Sequence, residues 1–113
     1  MGSFSTADNH PGRWQQPVSV PINKVDAFQA ACEMVADLEG WQDVRIDAEA
    51  LSLTCTRAGG LLRKAAKIRV WTVGPDGIPS SQTHCSSETD GGLFARDQAN
   101  VTEFIRKLYM RTT

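Results

Sequence analysis

Three consecutive stretches of alternating apolar and polar residues occupy the middle of the chain. Val44, Ile46 and Ala48 alternate with Asp43, Arg45 and Asp47; Leu51, Leu53 and Cys55 alternate with Ser52, Thr54 and Thr56. Ile68, Val70 and Thr72 then alternate with Lys67, Arg69, Trp71 and Val73. A period of two sends successive side chains to opposite sides of a strand, so each stretch reads as a half-buried strand. The joins between them are too short for a crossover helix, so neighbouring strands must run antiparallel. A hairpin is expected around Ala48 to Ala50, and Gly74-Pro75-Asp76-Gly77 is the clearest turn in the chain. A fourth strand, from Ile78 to about Glu88, is polar on both faces and is broken by Asp90-Gly91-Gly92.

Helical periodicity flanks these strands. Val25, Phe28, Cys32, Val35 and Leu38 follow steps of 3, 4, 3 and 3, which is one stripe of an amphipathic helix. Asn23 can cap its start and Gly40 can end it. Near the C-terminus, from about Ala95 to Met110, Val101, Phe104, Ile105, Leu108 and Tyr109 form a second stripe. Asp97 could cap that helix, while Asn100 with Glu103 spells a capping box. Ahead of the first helix, Val18 and Val20 stand between Pro17 and Pro21, which suits a short edge strand. Residues 1–16 have the composition of a flexible lead-in, although Trp14 could fold back onto the domain.

The expected order is therefore β-α-β-β-β-β-α: an α+β two-layer sandwich with an antiparallel five-stranded sheet and both helices on one face. Residues 17–113 make up the single domain, after a flexible tail of residues 1–16. Val44, Ile46, Leu51, Leu53, Cys55, Ile68 and Val70 should face the helices. Arg45, Asp47, Ser52, Thr54, Thr56, Lys67, Arg69, Trp71 and His84 should face water. This order resembles the half-repeat of the TATA-box-binding-protein fold and a shortened relative of the helix-grip lipid-binding folds. The resemblance is one of architecture and implies no shared activity.

Composition narrows the function classes. One hundred and thirteen residues suffice for one domain. Twelve basic residues against thirteen acidic ones, for a net charge of −1, give no global field to attract nucleic acid. No secretory signal and no membrane span is expected, which points to the cytoplasm. Cys32, Cys55 and Cys85 show neither CxxC nor zinc-ligand spacing and read as reduced, buried residues. No metal and no cofactor is expected.

Two places could carry a function. The segment 57–69 holds Arg57, Arg63, Lys64, Lys67 and Arg69 with no acid, and Leu61 and Leu62 follow Gly59-Gly60. Basic residues beside a glycine-rich turn can hold an anionic group, and flanked leucines can enter a partner's groove. Trp71 stands among Arg45, Lys67 and Arg69 on the wet sheet face, an arrangement that can also hold anionic ligands. Catalysis is less well supplied. His84 and Cys85 are neighbours and so point to opposite faces, and no G-x-S-x-G elbow is present.

The chain is accordingly expected to be non-enzymatic. It would bind a partner protein or an anionic small ligand through Arg57, Leu61, Leu62, Arg63, Lys64, Lys67, Arg69 and Trp71. The alternatives are a small enzyme using His84 with Cys85 or Cys55, and a homodimer that buries the polar sheet face. Finally, Ser86-Ser87-Glu88-Thr89-Asp90-Gly91-Gly92-Leu93-Phe94-Ala95-Arg96-Asp97, running into Asn100-Val101-Thr102-Glu103-Phe104-Ile105, resembles the closing segment of an uncharacterised family of small bacterial, cyanobacterial and plastid domains. The family's Asn-Arg pair at the helix start is replaced here by Asp97-Gln98. That resemblance implies no activity.

Overall fold

Residues 2–58, 65–89 and 96–112 are described by the computed structural model. Among them are strands β1 (Gly2–Ser5), β2 (Val18–Val20), β3 (Trp41–Asp47), β4 (Ser52–Arg57), β5 (Ala66–Val73) and β6 (Ser81–Thr89). Helices α1 (Lys24–Asp37) and α2 (Asp97–Thr112) complete the layout, with a single 3-10 turn at Arg13–Gln15. The three alternating stretches and the polar one form an antiparallel meander, β3 to β6. The α+β sandwich is as expected, but the sheet has six strands rather than five.

The additional strand comes from the segment expected to be a flexible lead-in. β1 pairs antiparallel with the second half of β6, from Gly2 opposite Thr89 to Ser5 opposite Ser86. β2 pairs with the first half, from Val18 opposite Thr83 to Val20 opposite Ser81. Together they cover one edge of β6 that would otherwise leave a row of unpaired backbone groups. The excursion between them is held down as well. Trp14 meets Tyr109 of α2 edge-on at 5.4 Å, and Arg13 lies 4.2 Å over the Tyr109 ring.

Both helices cover one face of the sheet, the inner face. Leu53, Cys55, Ile68, Val70 and Cys85 come from the sheet into one buried cluster with Val101, Phe104, Ile105 and Leu108 of α2. Asn23 caps α1 as expected, its side-chain oxygen accepting from the Asp26 N–H at 2.9 Å. The buried stripe of α1 differs from the expected one: Ala27, Phe28, Ala31, Met34 and Val35 are buried, whereas Val25 is exposed and Cys32 only half-buried. Alanines at the centre of the stripe let the helix lie close to the sheet, which turns Val25 outward.

β3 is the other departure. Val44 and Ile46 were expected under the helices, yet Ile46 is 56% exposed and Val44 is exposed too. Ile46 does sit opposite buried Leu53, but β3 is the sheet's outer edge, at the limit of the helices' cover. A bulge between Gln42 and Arg45, with Asp43 at φ 56°, interrupts its register. The hairpin that follows is as expected. Leu51 takes a left-handed φ of 49°, and Asp47 Oδ1 accepts from the Ala50 N–H at 3.2 Å.

The polar strand β6 is an interior strand of the sheet. Ser81, Thr83, Cys85, Ser87 and Thr89 all point inward and are buried. Their hydroxyls largely find partners: Thr83 bonds Thr72 at 2.9 Å, while Ser87 and Thr89 donate to Asp97 of α2 at 2.6 and 2.7 Å. Asp97 is the first residue of α2, and Asn100 donates to Ser87 at 3.1 Å. The capping box expected for Asn100 and Glu103 does not form. Asn100 lies one turn inside the helix, and Glu103 accepts from Arg57 instead.

Candidate functional site

The register of β4, β5 and β6 decides which of the candidate residues meet. Lys67, Arg69 and Trp71 sit opposite Thr56, Thr54 and Ser52 on one side, and opposite Glu88, Ser86 and His84 on the other. All of these belong to the outer face, away from the helices. Arg45 joins them because β3 places it opposite Thr54. Arg57 does not join them. It shares the parity of Leu53 and Cys55, pairs with Ala66, and turns toward the helices. There Nη1 donates to both Glu103 oxygens, at 2.6 and 3.0 Å, and the guanidinium lies 5.6 Å over the Trp41 ring. Leu61, Leu62, Arg63 and Lys64 lie outside the described residues.

The outer face holds an open depression of about 810 Å³. Thr54, Thr56 and Ser86 line it together with Arg45, Lys67 and Arg69, and Cys55 and Ile68 also contribute. Asp43 and Glu88 line it as well. Among the described residues, none of the three cations forms a salt bridge, although Glu88 is the register partner of Lys67. Exposed long cations on a sheet are ordinarily solvated, and here they share one depression with hydroxyl groups able to donate to the same bound group.

Trp71 is already occupied. Its ring stacks on His84, with centroids 5.2 Å apart and planes 6° apart, and the Arg69 guanidinium lies 4.9 Å from its centroid. The aromatic thus acts as a wall that steadies Arg69 rather than as an open stacking surface. On the other side of His84, Nδ1 lies 3.0 Å from Thr6 Oγ1, which also accepts from the Cys85 N–H at 3.2 Å. With one lone pair taken by that N–H, the Thr6 hydroxyl proton is free to go to an unprotonated Nδ1.

Burial lowers the pKa of His84 below its ordinary value, and Asp8 opposes this by favouring the charged ring. The folded protein therefore holds the proton less tightly than the unfolded chain does. The stability this contributes is complete above the ordinary value of about 6.5 and is lost as pH falls through it toward the lower folded value. Thermal melts between about pH 7.5 and 5.5 should show the melting temperature falling with acid, and the slope should flatten in His84→Gln. Equal slopes in the two proteins would mean that His84 carries no such linkage.

The pairing of histidine with thiol that a small enzyme would need is not formed. His84 is on the outer face, whereas Cys55 and Cys85 are buried on the inner one. Burial pushes the Cys55 thiol up to about 11, and burial reinforced by Cys55 holds Cys85 well above the ordinary thiol range. Thiols so placed stay protonated and unreactive. Among the described residues no group of His, Cys, Asp and Glu is arranged to hold a metal ion. None of the described helices is long and apolar enough to cross a membrane.

Part of this site was open to sequence reasoning. Arg45, Thr54 and Thr56 follow from the period of two, and their meeting with Lys67 and Arg69 needs only the strand order. The contribution of Ser86 and the stacking of His84 on Trp71 depend on the register of β5 with β6, which no local pattern announces.

No family model and no curated protein sequence matches the chain. Among solved structures it is similar to the one titled "Crystal structure of Ara h 8.0201", with 10% sequence identity and a TM-score of 0.53. The match covers 98% of this chain and 94% of that one. At that identity the likeness carries the fold alone: an antiparallel sheet with helices packed on it.

Proposed function

We propose that this domain acts by binding rather than by chemistry, and that the outer sheet face is where it binds. The observation that carries this reading is the gathering of Arg45, Lys67 and Arg69, free of carboxylate partners among the described residues, in one depression with the hydroxyls of Thr54, Thr56 and Ser86. Such a surface suits an anionic group, on a small ligand or on a partner protein, and Trp71, stacked on His84, lies against Arg69 on the same face. The near-neutral total charge means that attraction is local, so binding should weaken with salt without extending to polyanions in general. Three thiols without a disulfide suit a cytoplasmic setting.

The test is a nuclear magnetic resonance titration of the labelled protein with a panel of small carboxylates, phosphates and sulfates and an acidic peptide. At least one member should shift the amides of residues 45, 54, 56, 67, 69 and 71 together. Lys67→Ala/Arg69→Ala should weaken that response by roughly tenfold or more, the scale expected for losing charge-assisted hydrogen bonds. A panel that leaves the outer face unmoved overturns the reading.

A further inference from the structure

We infer that the outer-face depression is a site for the phosphate of a phosphomonoester, bound over Thr54 and Thr56; this rests on the reading of the outer face as a binding surface. Arg45 and Arg69 are register partners of the same residue, Thr54, from its two sides. Their Cα atoms are therefore two strand spacings apart, about 10 Å, and Lys67 lies two residues along β5 from Arg69, about 7 Å away. Side chains of that length, rooted at the corners of such a triangle, can converge on one small anion in the depression.

The charge and geometry favour phosphate over other anions. Three cations rooted within side-chain reach of one point, against Asp43 and Glu88 in the same lining, suit a dianion better than a monoanion. Two arginine forks, an ammonium group and the lining hydroxyls offer more donors than the two oxygens of a carboxylate can use, and a tetrahedral group with three free oxygens uses them better. The covered faces of Trp71 exclude recognition by stacking on that ring. Recognition therefore falls on the phosphate itself, and the body of the ligand projects toward solvent.

The pH dependence separates this idea from simple attraction between charges. A phosphomonoester loses its second proton near pH 6, so its affinity should rise about three- to tenfold between pH 5.5 and 7.5 at constant ionic strength. The charged groups that line it are Asp43 and Arg45 of β3, Lys67 and Arg69 of β5, and Glu88 of β6; His84 of β6, stacked on Trp71 and acted on by Asp8, is the nearby titratable group on the same face. Of these His84 is the one whose ordinary range lies in that interval, and its protonation at low pH would strengthen anion binding. The two effects have opposite signs, so a rise with pH reports the ligand's proton. Sulfate, which stays fully charged across the range, should bind no better at pH 7.5 than at 5.5.

Titrations with glycerol phosphate, inorganic phosphate, sulfate and acetate, read at the amides of residues 54, 56, 67 and 69, test this. The expected result is at least tenfold preference for glycerol phosphate over acetate at pH 7.5, with the stated rise with pH. Arg45→Ala and Arg69→Ala should each lose about tenfold, and Arg106→Ala, which removes the same charge from α2, should lose little. Vesicles of phosphatidylcholine with and without phosphatidic acid identify the source. Binding to the phosphatidic acid vesicles as well as to glycerol phosphate supports a lipid headgroup, and binding to glycerol phosphate alone supports a soluble ester. Binding to the vesicles without glycerol phosphate binding overturns the inference, as does equal affinity for acetate and glycerol phosphate. If other anions shift the outer face and phosphates do not, the inference fails and the binding reading stands; if no anion does, both fail.

Discussion

Phe104→Ala is expected to cost about 3–5 kcal/mol of folding free energy, the range for truncating a buried aromatic without full collapse of the cavity. Phe104 is 0% exposed and belongs to the cluster in which α2 meets the inner sheet face. Its ring also stacks on Trp41, with centroids 6.0 Å apart and planes at 29°, so it holds the start of β3 to the helix. Domains of this length commonly have a stability of about 5–15 kcal/mol, so such a loss consumes a large fraction of it. At roughly 4–8 °C per kcal/mol, the melting temperature should drop by about 12 °C or more. Denaturant unfolding measures it, and Phe104→Leu, expected to cost less than about 1.5 kcal/mol, keeps the comparison readable if the alanine variant does not fold. A loss under about 1 kcal/mol for Phe104→Ala would mean that the helix is not seated on the sheet as described.

The same helix indicates how far periodicity alone could go. Val101, Phe104, Ile105 and Leu108 are buried where the stripe of α2 places them, because a long helix over a sheet leaves one apolar face only one place to go. In α1 the stripe was rotated, since alanine counts weakly as an apolar signal yet packs best where a helix lies close to a sheet. The period of two placed Lys67, Arg69 and Trp71 on one face, and by the same rule it should have set Arg57 aside, since Arg57 continues the parity of Leu53 and Cys55. Treating 57–69 as one basic loop joined residues that the pleat separates. β1 escaped notice because Gly2, Ser3 and Ser5 carry no apolar pattern: that strand is held by its backbone pairing to β6 and by Phe4 stacked on His10 at 5.0 Å. Pairing of that kind is decided by the partner strand and leaves little trace in side-chain composition.

β6 is legible as a strand, but its place in the interior of the sheet is not, and the reason leads to the second large effect. A strand with serine and threonine on both faces reads as peripheral, because burying a hydroxyl without a partner is costly. β6 is tolerated in the interior of the sheet because its partners come from distant parts of the chain, and Asp97 is the most demanding of them. Its carboxylate is buried, accepts from Ser87 and Thr89, and lies at the N-terminus of α2. Asp97→Ala removes two charge-assisted hydrogen bonds and leaves two buried hydroxyls without their acceptor. Each such bond has a net worth of about 1.5–3 kcal/mol, and the favourable interaction of an acid with the helix start adds about 0.3–1 kcal/mol. Because the two bonds share one acceptor they will not add fully, and the expected loss is about 2–4 kcal/mol. The cluster's unity can be measured directly. If the cost of Asp97→Ala is mainly the stranding of its donors, then adding Ser87→Ala and Thr89→Val should destabilise the protein by much less than in the wild-type background. The coupling energy from denaturant midpoints should exceed about 1 kcal/mol. Purely additive losses would locate the effect in the helix terminus alone, and would leave the burial of β6 without the partner assigned to it here.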